Sequence, residues 1–132
     1  MRARWLAVVV VLALPSFAAA GALDYAQALA LAERDEATLT PAENDVFLPI
    51  QGETAGRAIM ACLDTSHPPA HIHVSVVMEL DASGRVVRTW REDDAPLTRC
   101  FEARIAQAQA GTPPRAPFYT FHTVDLDVTV EQ

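Results

Sequence analysis

The stretch HIHVSVVMEL, residues 71–80, decides the fold, because its polar and apolar side chains alternate. Neighbouring residues of a β-strand point to opposite faces of a sheet, so this pattern predicts a strand with one buried face. The next four residues, DASG at 81–84, have the composition of a turn, with glycine where a positive φ is needed. A second strand over 85–91 is therefore predicted to pair with the first as a hairpin.

A helix is predicted on either side of this hairpin. Before it, apolar residues recur at helical spacing over 53–64, and a pair of prolines follows. After it, the pattern predicts a helix over 95–110, with Asp93 or Asp94 as its N-cap and Pro96 in its first turn. One cysteine falls on each helix, so two helices on the same face of a sheet would bring the cysteines together.

A last strand is predicted over 118–130, where apolar and polar residues alternate again. The order is then helix, strand, strand, helix, strand. This order predicts an α+β domain with a small antiparallel three-stranded sheet and two helices on one of its faces.

Residues 21–51 are predicted to form an N-terminal helical extension, separate from the α+β domain at 52–132. Alanine and leucine recur over 23–36, which favours a helix that packs on the domain or lies loosely against it. Thr40 begins a capping-box pattern, so a short helical turn should follow and end before Pro49.

The first twenty residues have the pattern of a secretory signal peptide. Arg2 and Arg4 precede an apolar run at 5–14, and small residues then lead to a cleavage site after Ala20. The run is too short to span a bilayer, and no cysteine near the cut offers a site for a lipid. We expect a periplasmic or secreted protein with residues 1–20 removed and no stable membrane anchor.

The composition is acidic. The chain of 132 residues has 10 Lys and Arg against 17 Asp and Glu, a net charge of −7. Binding to nucleic acid or to anionic lipid needs a basic surface, so neither is expected. Solubility explains the acidity more simply than a designed acidic binding surface, although a basic partner is compatible with it.

Cys62 and Cys100 are the two cysteines of the chain. An even number in a small exported protein favours a disulfide over redox or metal chemistry, because no Cys-x-x-Cys motif occurs. By the loop-entropy argument, closing this loop would contribute about 4 kcal/mol to stability.

Three histidines cluster at the entrance to the first strand. His71 and His73 would project from one face, and with His67 they are candidates for a periplasmic copper or zinc site. The simpler interpretation is that they are solvated polar residues, so we expect no cofactor. His122 should point to the opposite face of the sheet.

Nothing in the chain indicates an enzyme. Asp125 and Asp127 share one face of the last strand and are interpreted as solvated residues rather than a catalytic acid and base. No serine has the surroundings of a nucleophile elbow. Four late aromatic residues are interpreted as core packing rather than a recognition surface: Trp90, Phe118, Tyr119 and Phe121.

From Glu53 to Val130 the chain resembles a TonB C-terminal domain, especially the two-cysteine variety of AgmX/PglI-like proteins. The shared features are a helix ending in a cysteine before proline, the hairpin with its Asp-x-x-Gly-Arg-Val turn, and a second cysteine-bearing helix before the closing strand. The resemblance implies a periplasmic α+β module without catalytic residues that binds protein or peptidoglycan-associated partners. Energy-transducing members have a membrane helix and a Pro-rich spacer where this chain has its signal sequence and helical extension, so force transmission is not expected.

Three functions follow from the sequence in decreasing order of support. The first is an exported, disulfide-stabilised, non-enzymatic domain that binds another periplasmic or outer-membrane protein, with an extended partner added at a sheet edge. The second is a copper- or zinc-binding protein that uses His67, His71 and His73. The third is a small secreted inhibitor or immunity-type protein.

Overall fold

The protein has three helices and three strands. The computed structural model describes residues 22–129. In chain order the elements are α1 (Tyr25–Glu36), α2 (Pro41–Cys62), β1 (His71–Leu80), β2 (Val86–Arg91), α3 (Pro96–Ala106) and β3 (Phe118–Asp127). The strands form an antiparallel sheet in the order β2-β1-β3, which confirms the predicted α+β class.

The strand β1 is the centre of the sheet. It pairs with β3 along its whole length, from His71 opposite Asp127 to Leu80 opposite Phe118. Its second half also pairs with β2, with a register shift between Glu79 and Leu80. The predicted hairpin is confirmed.

The helices α2 and α3 cover one face of the sheet. Alternate β1 side chains, Ile72 to Leu80, are buried there against apolar residues of both helices, with Phe101 and Ile105 of α3 fully buried. Cys62 ends α2 and Cys100 lies in α3, and their sulfurs form a disulfide that closes a sequence separation of 38 residues. The predicted disulfide is therefore present in the structure.

The helix α1 covers the opposite face. Ala28 and Ala32 are fully buried and pack with Val77 of β1. On the β2 side, the indole N–H of Trp90 donates to the Leu23 carbonyl oxygen at 2.9 Å. Both faces of the sheet are thus covered by helices, and the extension is packed rather than loose.

The sequence prediction of α2 was wrong at Pro49. We expected a short turn that ends there, but α2 runs unbroken from Pro41 to Cys62 with Pro49 inside it. Phe47 before the proline and Ala55 after it are both buried in the core. Their packing outweighs the roughly 3 kcal/mol that proline costs inside a helix. The division proposed between residues 51 and 52 lies within this helix.

The predicted N-cap of α3 was also wrong. The N-cap is Ala95, whose side chain makes no capping hydrogen bond. Asp93 instead accepts a hydrogen bond from the Ala95 backbone N–H at 2.9 Å, and Asp94 pairs with Arg91. The capping box at Thr40, by contrast, is confirmed, with Pro41 in the first turn.

The predicted signal peptide, residues 1–20, lies outside the described residues. From residue 22 to residue 129, no helix is both long enough and apolar enough to cross a membrane.

Candidate functional site

The outer edge of β3 is closed over its first half by carboxylates of α1. The Tyr119 backbone N–H donates to Asp35 Oδ2 at 3.0 Å, and the Phe121 N–H donates to Glu36 Oε1 at 3.3 Å. Burial raises the pKa of Glu36, although a hydrogen bond from the Thr120 hydroxyl opposes that shift. The end of α1 therefore occupies the positions that an added strand would need.

The second half of the same edge is left open by the residues that the structure describes, 22–129. Successive residues of an antiparallel strand turn their backbone groups alternately toward the neighbour and away from it. The N–H groups of Tyr119 and Phe121 point away from β1. Those of Thr123, Asp125 and Asp127 therefore point away from β1 as well. Between residues 22 and 129, no group accepts a hydrogen bond from the N–H of Thr123 or Asp125. We call this stretch, 123–127, the open edge.

The other edge of the sheet, along β2, is better protected. It is short, it lies beside the register shift at Glu79, and its start is bridged by the chain after α3, where Arg85 pairs with Gln109. The Ala110 N–H also donates to the Gly84 carbonyl oxygen at 2.9 Å. Short strands and irregularities of this kind discourage the addition of another strand.

A cluster of histidines and carboxylates borders the open edge on the α1 face of the sheet. His71 Nδ1 lies 2.9 Å from Asp127 Oδ1, and His73 Nδ1 lies 2.9 Å from Asp125 Oδ2. The second ring nitrogen of His73 lies 2.7 Å from Glu92 Oε2, at the end of β2. These five residues form the histidine–carboxylate cluster, which joins all three strands.

The charge of His73 depends on two neighbours in this cluster. Hydrogen bonds to Asp125 and Glu92 raise the pKa of His73, because both carboxylates favour the protonated ring. In this form both ring nitrogens donate, one to each carboxylate. The side chain is exposed to solvent, so this interaction is screened.

The structure separates the three histidines that were predicted as a cluster. His71 and His73 share a face as expected, whereas His67 lies in the exposed loop before β1, with Nδ1 3.5 Å from Asp64. In the part of the chain that the structure describes, no group of three or more His, Cys, Asp or Glu side chains is arranged to hold a metal ion.

His122 lies on the opposite face, as predicted. It is buried, and its ring meets the ring of Phe101 nearly edge to face at a centroid distance of 6.5 Å. Burial lowers its pKa to about 4, so it is neutral in the folded protein at pH 7.

Several residues of the site were not found from the sequence. Asp35 and Glu36 were overlooked, and Glu92 was interpreted as part of the acidic start of the next helix, because their partners are distant in the chain. A signal for the His–Asp pairs existed, since His-x-His and Asp-x-Asp occupy equivalent alternate positions of β1 and β3. The missing information was the register between the two strands.

Two grooves lie elsewhere on the surface. One of about 340 Å³ runs between α2 and α3, with Arg57 and Arg104 among its lining residues. Another of about 410 Å³ lies between Val46 of α2 and Pro114 of the loop before β3. None of the residues that line either groove belongs to β3.

Comparison of the chain with protein families, with curated proteins and with solved structures finds no match. The resemblance to TonB C-terminal domains therefore stays a prediction.

Proposed function

We propose that this protein is an exported, non-enzymatic domain that binds an extended segment of another envelope protein as an added strand along the open edge. The observation that carries the proposal is the contrast within β3. The outward N–H groups of Tyr119 and Phe121 are occupied by carboxylates, and those of Thr123 and Asp125 have no acceptor within residues 22–129. Strand addition satisfies such groups with main-chain hydrogen bonds.

Two features support export. The signal-like pattern of residues 1–20 is a sequence argument, and the Cys62–Cys100 disulfide is a structural one. Disulfides persist mainly in oxidising compartments such as the periplasm. Together they support an envelope location for the partner.

A second copy of this chain is a poor partner for the edge. Two β3 strands paired antiparallel about Asp125 would place that aspartate opposite its own copy, and each neighbouring Asp127 would add a further negative charge. Like charges that face each other across two strands are destabilising. The proposal therefore specifies a different protein as the partner.

The metal-binding hypothesis has less support. His71 and His73 each direct Nδ1 at a different aspartate, and His71 Nε2 lies 3.6 Å from Asp125 Oδ1, so the contacts form a chain rather than converging on one point. No feature of the described residues favours the inhibitor hypothesis over strand addition.

Site-specific photo-cross-linking in cells tests the proposal. A cross-linking amino acid at Leu126 samples the open edge, and one at Val87 samples the β2 edge with similar exposure, 54% against 49%. We expect a discrete adduct from position 126 and none from position 87.

The Thr123→Pro substitution in the Leu126-labelled protein makes the test specific to strand addition. Proline removes an outward N–H that β1 does not use, so the sheet should tolerate it. Thr123→Ala is the control, because both variants lose the contact with the Ser75 hydroxyl at 2.9 Å. The proposal predicts that proline abolishes the adduct and alanine keeps it. Equal adducts from both variants, or from positions 126 and 87, would overturn it.

A further inference from the structure

From the charges along the open edge, we infer that the segment bound there is basic, with arginine or lysine at every second position. The inference rests on the proposed strand addition and specifies the chemistry of the partner.

The alternation of β3 fixes which partner residues meet which side chains. Asp125 and Asp127 project on the α1 face of the sheet, and Leu126 projects on the other face, where it is exposed. Residues directly opposite each other on paired strands have Cβ atoms about 5 Å apart. Every second residue of an added strand therefore lies beside a carboxylate, and those between lie beside Leu126.

The charge beside the open edge is negative whether or not the two histidines are protonated. The histidine–carboxylate cluster contains three carboxylates and two imidazoles, so it stays negative even when both rings are protonated. No lysine or arginine follows Arg115 in the sequence. A basic segment thus meets no repulsive charge on β3 itself.

The aspartates can accept hydrogen bonds from a partner in addition to their contacts with the histidines. Each carboxylate offers about four acceptor positions, of which one histidine uses one on Asp127 and two histidines use at most two on Asp125. Asp127, with its side chain 88% exposed, contacts His71 through Oδ1. Its remaining acceptor positions are accessible to a guanidinium group.

The test measures binding of three synthetic peptides to the mature, oxidised protein. Each peptide alternates valine with one second residue, which is arginine, glutamine or glutamate. We expect the arginine peptide to bind about ten-fold more tightly than the glutamine peptide, as two cross-strand charge pairs suggest. The glutamate peptide should bind most weakly.

Charge-neutralising variants place this preference at the open edge. Asp125→Asn with Asp127→Asn should remove the advantage of the arginine peptide, so that the ratio of the dissociation constants of the glutamine and arginine peptides falls to about one. The matched control is Asp45→Asn with Glu53→Gln, which removes two exposed charges on α2 and should keep the advantage.

An arginine peptide with alternate N-methylated amides separates this inference from the proposed function. Loss of its binding supports strand pairing. Equal affinity of the unmethylated arginine and glutamine peptides would then overturn the basic preference and leave strand addition standing. Undiminished binding of the N-methylated peptide, or no binding by any peptide, would overturn both.

Discussion

Gly84 holds the hairpin turn in a backbone conformation that favours glycine. Its φ is +82°, and an added Cβ would lie 2.4 Å from the Ala110 carbonyl oxygen and 2.7 Å from that of Gly111. Both contacts are with backbone atoms, which cannot move aside as a flexible side chain does. The turn and the chain after α3 therefore depend on the absence of a side chain here.

We expect Gly84→Ala to lower the free energy of unfolding by at least about 2 kcal/mol, from the positive φ together with the clash. Gly56→Ala is the matched control, because Gly56 lies exposed in α2 with no atom within 4 Å of an added Cβ. That variant should gain about 0.5–1 kcal/mol. Urea denaturation measures both changes, and shifts of the same sign would contradict the argument.

His122 makes the folded protein sensitive to acid. Its folded pKa is about 4, below the value near 6.5 of an unfolded chain. The unfolded state therefore binds the proton first, and stability is lost as the pH falls from about 6.5 toward 4. The full loss is about 3 kcal/mol.

This pH dependence predicts the behaviour of His122→Leu. As the pH falls from about 6.5 toward 4, the wild type should lose stability relative to the variant. His73→Gln should show the opposite trend, since the pKa of His73 is raised. Its stabilising contact is complete below about pH 6.5 and is lost as the pH rises through the folded pKa. Denaturation curves at half-unit pH intervals measure both trends, and a parallel trend in the two variants would be inconsistent with these assignments.

Among the secondary-structure elements, α1 protects the sheet edge through its last two residues. Asp35 is 8% exposed and accepts from the Tyr119 N–H, and the Arg115 guanidinium lies 3.6 Å from Oδ1. Replacing this carboxylate leaves the Tyr119 N–H without its acceptor and removes the ion pair with Arg115.

We expect Asp35→Ala to cost about 1–3 kcal/mol of stability. It should also increase self-association, because it frees the Tyr119 end of the edge, which lies away from the Asp125 and Asp127 charges that oppose pairing of two copies. Denaturation and sedimentation velocity measure the two effects. Glu33→Ala, at an exposed position of the same helix, is the control and should show neither. An Asp35→Ala protein as stable and as monomeric as wild type would show that the carboxylate does not protect the edge.

The elements themselves were largely predictable from local pattern. The bounds of β1 are those predicted, because ten residues of alternation leave little freedom. The error at Pro49 arose because a local rule was applied where the burial of Phe47 and Ala55, which is a tertiary effect, decides the outcome.

The candidate site was predicted only in parts. The histidines of β1 and the aspartates of β3 were found as separate groups, and their pairing depends on a register between strands about fifty residues apart. Loop lengths and local composition do not specify that register. The closure of the edge by Asp35 and Glu36 could not be predicted either, because it also depends on contacts between residues far apart in the sequence.

At the scale of the whole molecule, the disulfide is the covalent link that constrains the fold. It joins the end of α2 to α3 across a separation of 38 residues. Replacing both cysteines by serine should lower the free energy of unfolding by about 4 kcal/mol, because the unfolded chain regains the freedom of that loop.

Guanidinium denaturation of the double serine variant measures this loss. Ala61→Ser with Arg99→Ser is the control, since it places serine at exposed neighbouring positions. The control should change stability by less than about 0.5 kcal/mol. A loss below about 1 kcal/mol in the cysteine variant would contradict the assignment of a stabilising role.

The carboxylates at the end of α1 also limit the length of β3 that is available for pairing with another strand. A partner strand that pairs with β3 from Asp127 onward reaches the Phe121 N–H, which already donates to Glu36. Pairing beyond that point would require α1 to move. The vacant stretch spans about five residues, or roughly 17 Å of strand. In the proposed strand addition, the position where α1 ends therefore limits how far a partner segment can pair toward the start of β3.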